Sequence, residues 1–266
     1  MSRDRALEVD YSAATSLALE LDFAAPHPRH FGAPAATSTP YRTEGFEGEV
    51  ILGASCNCHR ITLIPHCNGT HTESVSNLTL QQVPLHRFVP FEPIAALLLT
   101  VQPRLAGDAS DTANATGDDT DPPPHAGDLL LTRADLLSAW QPYAAFPARA
   151  LLLRTQADLQ TANPPYLSRQ FARELVARGI EHLVVDLPSV DRSQDEGRLT
   201  AHRIFFGLPP DTTDRALATR ATCTITELAS FPAQLRDGPC ALQLQLPAFT
   251  GDAVPSRPVH LPLVHR

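Results

Sequence analysis

Residues able to do chemistry are concentrated in one short segment, Pro65-His66-Cys67-Asn68-Gly69-Thr70-His71-Thr72-Glu73. Cys67, His71 and Glu73 bring a thiol, an imidazole and a carboxylate to it, around an Asn-Gly pair that predicts a tight turn. If the residues after the turn are extended, His71 and Glu73 project from the same face of a strand. Cys67 can then be brought back toward them, which would start a divalent-metal site. A solvated polar strand after an ordinary turn is the alternative.

The same segment is similar to the motif of a known family. Gly69-Thr70-His71-Thr72-Glu73 resembles the Gly-Thr-His-x-Asp core of the cyclase / kynurenine formamidase-like (arylformamidase) superfamily of metal-dependent hydrolases. Further stretches resemble later family elements in the right order, and the resemblance runs from about residue 50 to residue 231. These stretches are Arg154-Thr155 with Pro165-Tyr166-Leu167-Ser168, Gly179-Ile180 through Asp186-Leu187-Pro188-Ser189-Val190-Asp191, and Ala201-His202-Arg203 with Thr226-Glu227-Leu228.

The resemblance implies a metal site with five candidate ligands. His71 and Glu73 match the family's first pair, with Glu in place of Asp, and the longer side chain would suit a carboxylate that bridges two ions. His202 and Glu227 match the second pair. Cys67 stands where the family has a histidine, and because thiolate is a good zinc ligand we expect one or two Zn²⁺ ions, with Mn²⁺ possible.

Several neighbouring residues leave alternatives open. Cys67 could instead be a buried inert thiol, in which case His66 is the substitute ligand. Asn77 stands where the family often has a proton-shuttling histidine, and an amide cannot act as a general base. His86 is the nearest histidine downstream, so it joins His71 and Glu73 as a candidate catalytic residue.

Two further clusters of polar residues favour structural roles. Asp186, Ser189 and Asp191 could orient metal ligands or shape a turn at Pro188, and the proline favours the turn. Cys56-Asn57-Cys58-His59 could bind zinc, but two cysteines two apart on a strand are more often both buried.

These residues predict a metal-dependent amidohydrolase. It would cleave a C–N bond of an amide, aryl formamide or lactam in a small-molecule substrate, using a metal-activated water. A catalytically impaired metal- or ligand-binding member of the same fold is the alternative, because of Cys67 and Asn77. The resemblance also implies an α/β fold with a mixed, barrel-like sheet and peripheral helices (the swivelling β/β/α, cyclase-like type), in a protein that is often a homodimer.

Composition narrows the class of protein. The chain has 266 residues and a net charge of −8 with no dense basic run, which argues against a nucleic-acid partner. All 21 basic residues are arginine, so Schiff-base chemistry and a Walker-type lysine are excluded. We expect no signal peptide and no membrane span. Five cysteines, an odd number, favour a reducing compartment, and we predict a cytoplasmic protein.

The elements that must position these residues follow an α/β pattern. Capping residues predict helices from Thr132 to about Trp140 and from Ser168 to Gly179. The βαβ pattern over residues 150–187 predicts a partly parallel sheet within a single domain, 1–266, and the acidic stretch 107–128 is expected to be a disordered surface loop. The remaining expected elements are a helix over 200–206 and strands over 49–52, 61–64, 95–101, 150–154, 182–187, 221–227 and 241–246.

Overall fold

The computed structural model describes residues 7–106, 118–157, 161 and 163–265. The chain divides into two compact units, a smaller one of Glu20–Gly69 and a larger one formed by Met1–Leu19 with Thr70–Arg266. Whether the two act as a single domain stays a prediction.

Among the described residues, a ten-stranded mixed sheet forms the centre of the larger unit. In chain order the strands are β1 (Leu7–Val9), β2 (Thr15–Ser16), β3 (His71–Glu73), β4 (Ile94–Thr100), β5 (Ala150–Arg154), β6 (His182–Val185), β7 (Thr224–Glu227), β8 (Gly238–Gln245), β9 (Ala253–Pro255) and β10 (Arg257–His265). Their spatial order is β1, β10, β8, β4, β5, β6, β7, β3 and β9, with β2 paired to β10. Strands β4 to β7 run parallel to one another, and the other neighbours are antiparallel.

Within the described residues, three helices connect the parallel strands, and one of them completes the βαβ unit predicted for residues 150–187. They are α1 (Arg133–Trp140), α2 (Arg169–Ala177) and α3 (Thr200–Phe206). The Thr132 hydroxyl accepts a hydrogen bond from the N–H of Asp135, and the Ser168 hydroxyl accepts one from Phe171, so both predicted N-caps are confirmed. Gly179, with φ of +73°, follows α2 in the left-handed conformation that ends many helices.

The core lies on both faces of the central strands. Leu97 and Leu151 pack in a cluster with helix residues such as Phe171, while Leu98 and Leu152 belong to a second cluster on the opposite face. Strands buried on both faces read as continuous apolar runs, which is why β4 and β5 could be predicted. The fold is therefore mixed α/β with one large mixed sheet and few helices, as expected.

Both units also contain short β-strands outside the large sheet. The larger unit also has a three-stranded sheet, formed by Arg104–Leu105, Leu129–Leu131 and Tyr166–Leu167. The smaller unit contains two antiparallel pairs, Thr37–Pro40 with His59–Thr62 and Arg42–Thr43 with Phe46–Glu47, and one helical turn, Pro65–Asn68. Within the described residues, no helix is both long and apolar enough to span a lipid bilayer.

Several local predictions in the smaller unit are wrong. Residues 49–52 were expected to form a strand, but Val50–Leu52 is a 3-10 turn closed by Gly53 at φ +95°, and Ile51 is 86% exposed. Cys56 and Cys58 are both exposed rather than buried.

The Asn68-Gly69 pair does not form the expected tight turn. Pro65 occupies the first turn of a short helix, a position that suits proline, and Gly69 is extended. The buried Asn68 side chain instead accepts a hydrogen bond from the N–H of Ile64 at 2.8 Å. The Asn68 amide therefore closes the helical turn.

The acidic stretch 107–128 is described from Asp118 onward, and the prediction for residues 107–117 lies outside the described residues. Asp118 accepts hydrogen bonds from the N–H of Arg133, at 3.0 Å, and from the Ser168 hydroxyl. Asp128 is also buried. These two carboxylates are therefore not the solvated groups that the composition predicted.

Candidate metal centre

The sheet register places three candidate ligands on one face. Strand β3 pairs antiparallel with β7, and His71 stands directly opposite Glu227. Because side chains alternate along a strand, Glu73 projects from the same face as His71. Thr72 and Thr226 occupy the other face, where their hydroxyl oxygens lie 2.7 Å apart. The period-two prediction for His71 and Glu73 therefore agrees with the structure.

Helix α3 supplies the fourth side chain. The Nε2 atom of His202 lies 2.6 Å from Oε1 of Glu73 and 3.5 Å from Oε1 of Glu227. The Nε2 atom of His71 lies 3.4 Å from Oε2 of Glu227. All four side chains are buried, and the ligand atoms of Glu73, His202 and Glu227 lie within 4.8 Å of one another. We call His71, Glu73, His202 and Glu227 the histidine–glutamate cluster.

Asp191 fixes the orientation of His202. Its Oδ2 atom lies 2.6 Å from Nδ1 of the imidazole and also accepts a hydrogen bond from the His202 main-chain N–H. A carboxylate only accepts hydrogen bonds, so Nδ1 carries a proton, and Nε2 is the nitrogen that faces the glutamates and could bind a metal once its own proton is lost. A histidine that binds a metal through Nε2 needs this arrangement.

The same carboxylate caps helix α3 from outside the helix. The preceding residue, Leu199, has φ of +47° and gives no side-chain cap, whereas Oδ1 of Asp191 accepts a hydrogen bond from the N–H of Ala201 at 2.7 Å. The sequence favoured a turn role for Asp191, and the structure corrects this because Asp191 also orients a candidate ligand. Ser189 accepts a local hydrogen bond from the N–H of Asp191, whereas Asp186 accepts one from the N–H of Thr155, 31 residues earlier in the chain.

Each glutamate of the cluster is also held by a neutral donor. The side-chain amide of Asn77 donates to Oε2 of Glu73 at 2.7 Å. The main-chain N–H of Val190 donates to Oε1 of Glu227 at 2.8 Å. Sequence reasoning missed both contacts, because it treated Asn77 only as a lost histidine and a main-chain donor leaves no signal in the sequence.

The electrostatics of the cluster favour a bound cation. The ion-pair partners that the structure shows for Glu227 are His71 and His202, and histidine is charged only when protonated. Burial would lower the pKa of His202, but the charge of Glu73, the hydrogen bond to Asp191 and the charge of Glu227 outweigh it and hold the pKa well above its usual range. Without a metal, a proton on His202 therefore compensates the buried carboxylates.

The donor set fits a divalent metal. Two imidazoles and two carboxylates, all buried, are ligands that zinc and manganese accept. Buried carboxylates are costly unless a positive charge compensates them, and a divalent ion would supply more charge than one protonated histidine. The four residues His71, Glu73, His202 and Glu227 could therefore hold a divalent ion, and their roles as ligands stay predictions.

The other predicted site residues belong to other segments of the chain. His66 and Cys67 belong to the helical turn Pro65–Asn68 of the smaller unit, where burial raises the pKa of the Cys67 thiol. Their roles as ligands stay predictions. His86 lies in a 3-10 turn, Leu85–Arg87, and its Nδ1 atom is buried with no hydrogen-bond partner among the described residues. Its catalytic role also stays a prediction.

Three solved structures that share the fold are described as hydrolases. One is "predicted metal-dependent hydrolase from Bacillus stearothermophilus", with 15% identity, a TM-score of 0.56, and coverage of 96% of this chain and 98% of that chain. A second is isatin hydrolase A from Labrenzia aggregata, bound to benzyl benzoate, with 14% identity, a TM-score of 0.59, and coverage of 94% and 93%. A third is isatin hydrolase A from Ralstonia solanacearum, with 13% identity, a TM-score of 0.52, and coverage of 94% and 91%. No curated protein sequence matches the chain.

A family model gives the decisive match. The model described as "Putative cyclase" matches residues 15–192, which is more than half of the chain. The matched range includes His71, Glu73 and Asp191 and ends before His202 and Glu227. The chain belongs to the putative cyclase family.

Proposed function

We propose that this protein is a metal-dependent hydrolase that cleaves a C–N bond in an amide, aryl formamide or lactam. The observation that carries the proposal is the meeting of two histidines and two glutamates in one buried cluster. Each of His202, Glu73 and Glu227 has a second contact that fixes it, to Asp191, Asn77 and Val190 respectively. A set of ligands held in this way is preorganised for a metal ion.

The cluster would hold one or two ions, with zinc proposed and manganese as the second choice. His71, Glu73, His202 and Glu227 would be ligands, and Cys67 would join them if its thiol is deprotonated. When bound, the metal activates a water molecule for attack and polarises the substrate carbonyl. Burial of the surrounding side chains excludes bulk water and strengthens every charge interaction in the site.

Protons must also move when a C–N bond is hydrolysed, since the leaving nitrogen has to be protonated. Asn77 cannot do this, because an amide does not titrate near neutral pH. We propose His86 for this role, because its buried Nδ1 has no hydrogen-bond partner among the described residues. Replacing His86 with alanine should lower kcat by about 100-fold or more while leaving metal content unchanged.

The substrate class is supported by the similarity to isatin hydrolase A, because isatin is a cyclic amide. Lactams and aryl formamides are therefore both candidate substrates. We further propose a homodimer in the cytoplasm, which size-exclusion chromatography and cell fractionation can test.

A hydrolysis assay tests the proposal. Protein purified without chelator would be given aryl formamides, lactams and simple esters. Turnover is expected for at least one C–N substrate, with its loss in His71→Ala and its retention in the control His265→Ala, whose histidine is exposed on β10. Turnover that survives in His71→Ala, with circular dichroism showing an intact fold, would contradict the proposed site.

Cys67 has its own test, since it decides how many ions are held. If Cys67 is a ligand, Cys67→Ser should lower metal occupancy and Cys67→His should keep it, and the exposed Cys56→Ser serves as control. If Cys67 is an inert buried thiol, none of the three variants should change the metal content.

Binding without catalysis is the second candidate function. The contact of Asn77 with Glu73 favours it, because a non-titrating group occupies a position directly beside the cluster. In that case the protein should bind metal through the same four residues and show no turnover across the whole substrate panel. Turnover that depends on His71 would reject this alternative.

A further inference from the structure

Asn77 touches the candidate metal centre through one well-placed atom. Its Nδ2 lies 2.7 Å from Oε2 of Glu73, whereas the other carboxylate oxygen, Oε1, faces Nε2 of His202 at 2.6 Å. The two oxygens of Glu73 therefore have different neighbours, one a neutral donor and the other a candidate ligand. The assignment of the amide is chemically fixed, because a carboxylate oxygen would repel the Asn77 carbonyl oxygen.

The local chain explains how Asn77 reaches Glu73. Strand β3 ends at Glu73, and the Ser74 hydroxyl then caps a 3-10 turn over Val75–Asn77 by accepting from the N–H of Ser76. The main-chain N–H of Asn77 donates to the carbonyl of Ser74 at 3.0 Å. The turn brings the side chain of residue 77 back over the carboxylate four residues earlier.

The two glutamates are held in matching ways by different kinds of donor. Oε1 of Glu227 accepts from the main-chain N–H of Val190, which no side-chain change can remove. Oε2 of Glu73 accepts its hydrogen bond from the side chain of Asn77, and one substitution at Asn77 can remove this bond. The contribution of this hydrogen bond to the cluster can therefore be tested by mutation.

We infer that Asn77 is a positioning residue that reserves Oε1 of Glu73 for the metal. The inference rests on the proposed metal-dependent function. By occupying Oε2, the amide keeps Glu73 a ligand through one oxygen and stops the carboxylate from rotating away from His202. Partners of this kind typically change metal affinity by about 10- to 100-fold when they are removed.

The test measures zinc affinity by competition with a chromophoric chelator, using wild type, Asn77→Leu and Ser76→Ala. Leucine has nearly the shape of asparagine but no donor. Ser76 lies in the same turn, where its hydroxyl donates to the carbonyl of Gln81 and accepts from the N–H of Val83, so its loss disturbs the turn without touching Glu73. Asn77→Ala is the second variant if Asn77→Leu does not fold.

The expected result is a zinc dissociation constant at least about tenfold higher in the Asn77 variant and within about twofold of wild type in Ser76→Ala. Equal affinity in all three proteins, or an equal loss in both variants, would overturn the inference while leaving the proposed function intact. Wild type that binds no zinc or manganese would instead overturn the proposed function, and the role of Asn77 with it.

Discussion

Two buried groups of side chains in the larger unit compensate the charge of their carboxylates in different ways. The aspartate–arginine cluster consists of Asp128, Arg192, Tyr166 and Asn163. Asp128 lies 2.9 Å from the Arg192 guanidinium and accepts hydrogen bonds from the Tyr166 hydroxyl and the Asn163 amide, each at 2.7 Å. The histidine–glutamate cluster places its carboxylates against histidines instead.

The difference shows which cluster is complete. Arginine is always charged, so the carboxylate of Asp128 is compensated by the protein itself. Burial would raise the pKa of Asp128, but hydrogen bonds from Tyr166, His125 and Asn163 and the charge of Arg192 together hold it below its usual value. In the histidine–glutamate cluster the compensating charge must come from a proton on His202 or from a bound ion. The charge of Asp128 is thus compensated within its own cluster, and we propose that the histidine–glutamate cluster receives a cation.

The largest effect should come from breaking the complete cluster. Asp128→Asn leaves the mostly buried Arg192 without its carboxylate and should lower the free energy of unfolding by about 3 kcal/mol in urea. Asp119→Asn is the matched control, because Asp119 pairs with Arg169 at 3.2 Å on the surface and should cost less than about 1 kcal/mol. Equal losses in the two variants would mean that Asp128 has no special structural role.

Removing metal from the histidine–glutamate cluster should lower the stability of the protein. With free zinc at about 100 times its dissociation constant, adding a chelator should lower the free energy of unfolding of wild type by about 2.7 kcal/mol. Asp128→Asn should show the same loss, because Asp128 pairs with Arg192 and is not one of the four proposed ligands. Chelator that leaves the unfolding of wild type unchanged would remove the distinction between the two clusters.

A third buried histidine, His182, has a pKa that can be compared with the pKa of His202. His182 on β6 contacts the Thr224 hydroxyl at 2.9 Å, and burial lowers its pKa to about 4. The folded state keeps His182 neutral, so stability is lost as pH falls below the ordinary histidine pKa of about 6.5 and the loss levels off near pH 4.

Between pH 7.5 and 4.5 the loss from His182 should be about 2–3 kcal/mol, given the pKa of about 4. His182→Gln should lose that much less stability than wild type over this range, measured by urea unfolding. An unchanged pH dependence in the variant would show that His182 does not titrate as described.

The smallest effect should come from neutralising one carboxylate of the metal-free cluster. Glu227→Gln keeps an oxygen that can accept from Val190 while removing a buried negative charge, so we expect a change within about 1 kcal/mol of wild type in chelator. The same carboxylate-to-amide change should thus lower stability strongly in the aspartate–arginine cluster and change it little in the histidine–glutamate cluster. A loss as large as that of Asp128→Asn would contradict the comparison.

The parts of the fold that local signals specify could be predicted from the sequence. The apolar runs of β4 and β5 and the caps at Thr132, Ser168 and Gly179 all gave correct elements, because each depends on neighbouring residues. The segment Val50–Leu52 failed, since an apolar run says nothing about burial when tertiary contacts decide it. Strand β10 was missed because Pro258 and Pro262 interrupt its pattern.

Some features of the candidate site could likewise be predicted from the sequence, and others could not. The shared face of His71 and Glu73 follows from the period of a strand, whereas His202 and Glu227 were found only through the family resemblance. The contacts of Asp191 with His202 and of Asn77 with Glu73 depend on the path of a loop and of a 3-10 turn. No spacing rule gives such paths, so these positioning contacts required the structure.

Metal content tests the central claim most directly. Elemental analysis of wild type purified without chelator should find one to two equivalents of zinc or manganese, and His202→Ala should fall well below one equivalent because it loses the imidazole that faces both glutamates. Asp119→Asn, away from the cluster, should match wild type. A wild-type protein that holds no metal and takes up none on titration would contradict the account.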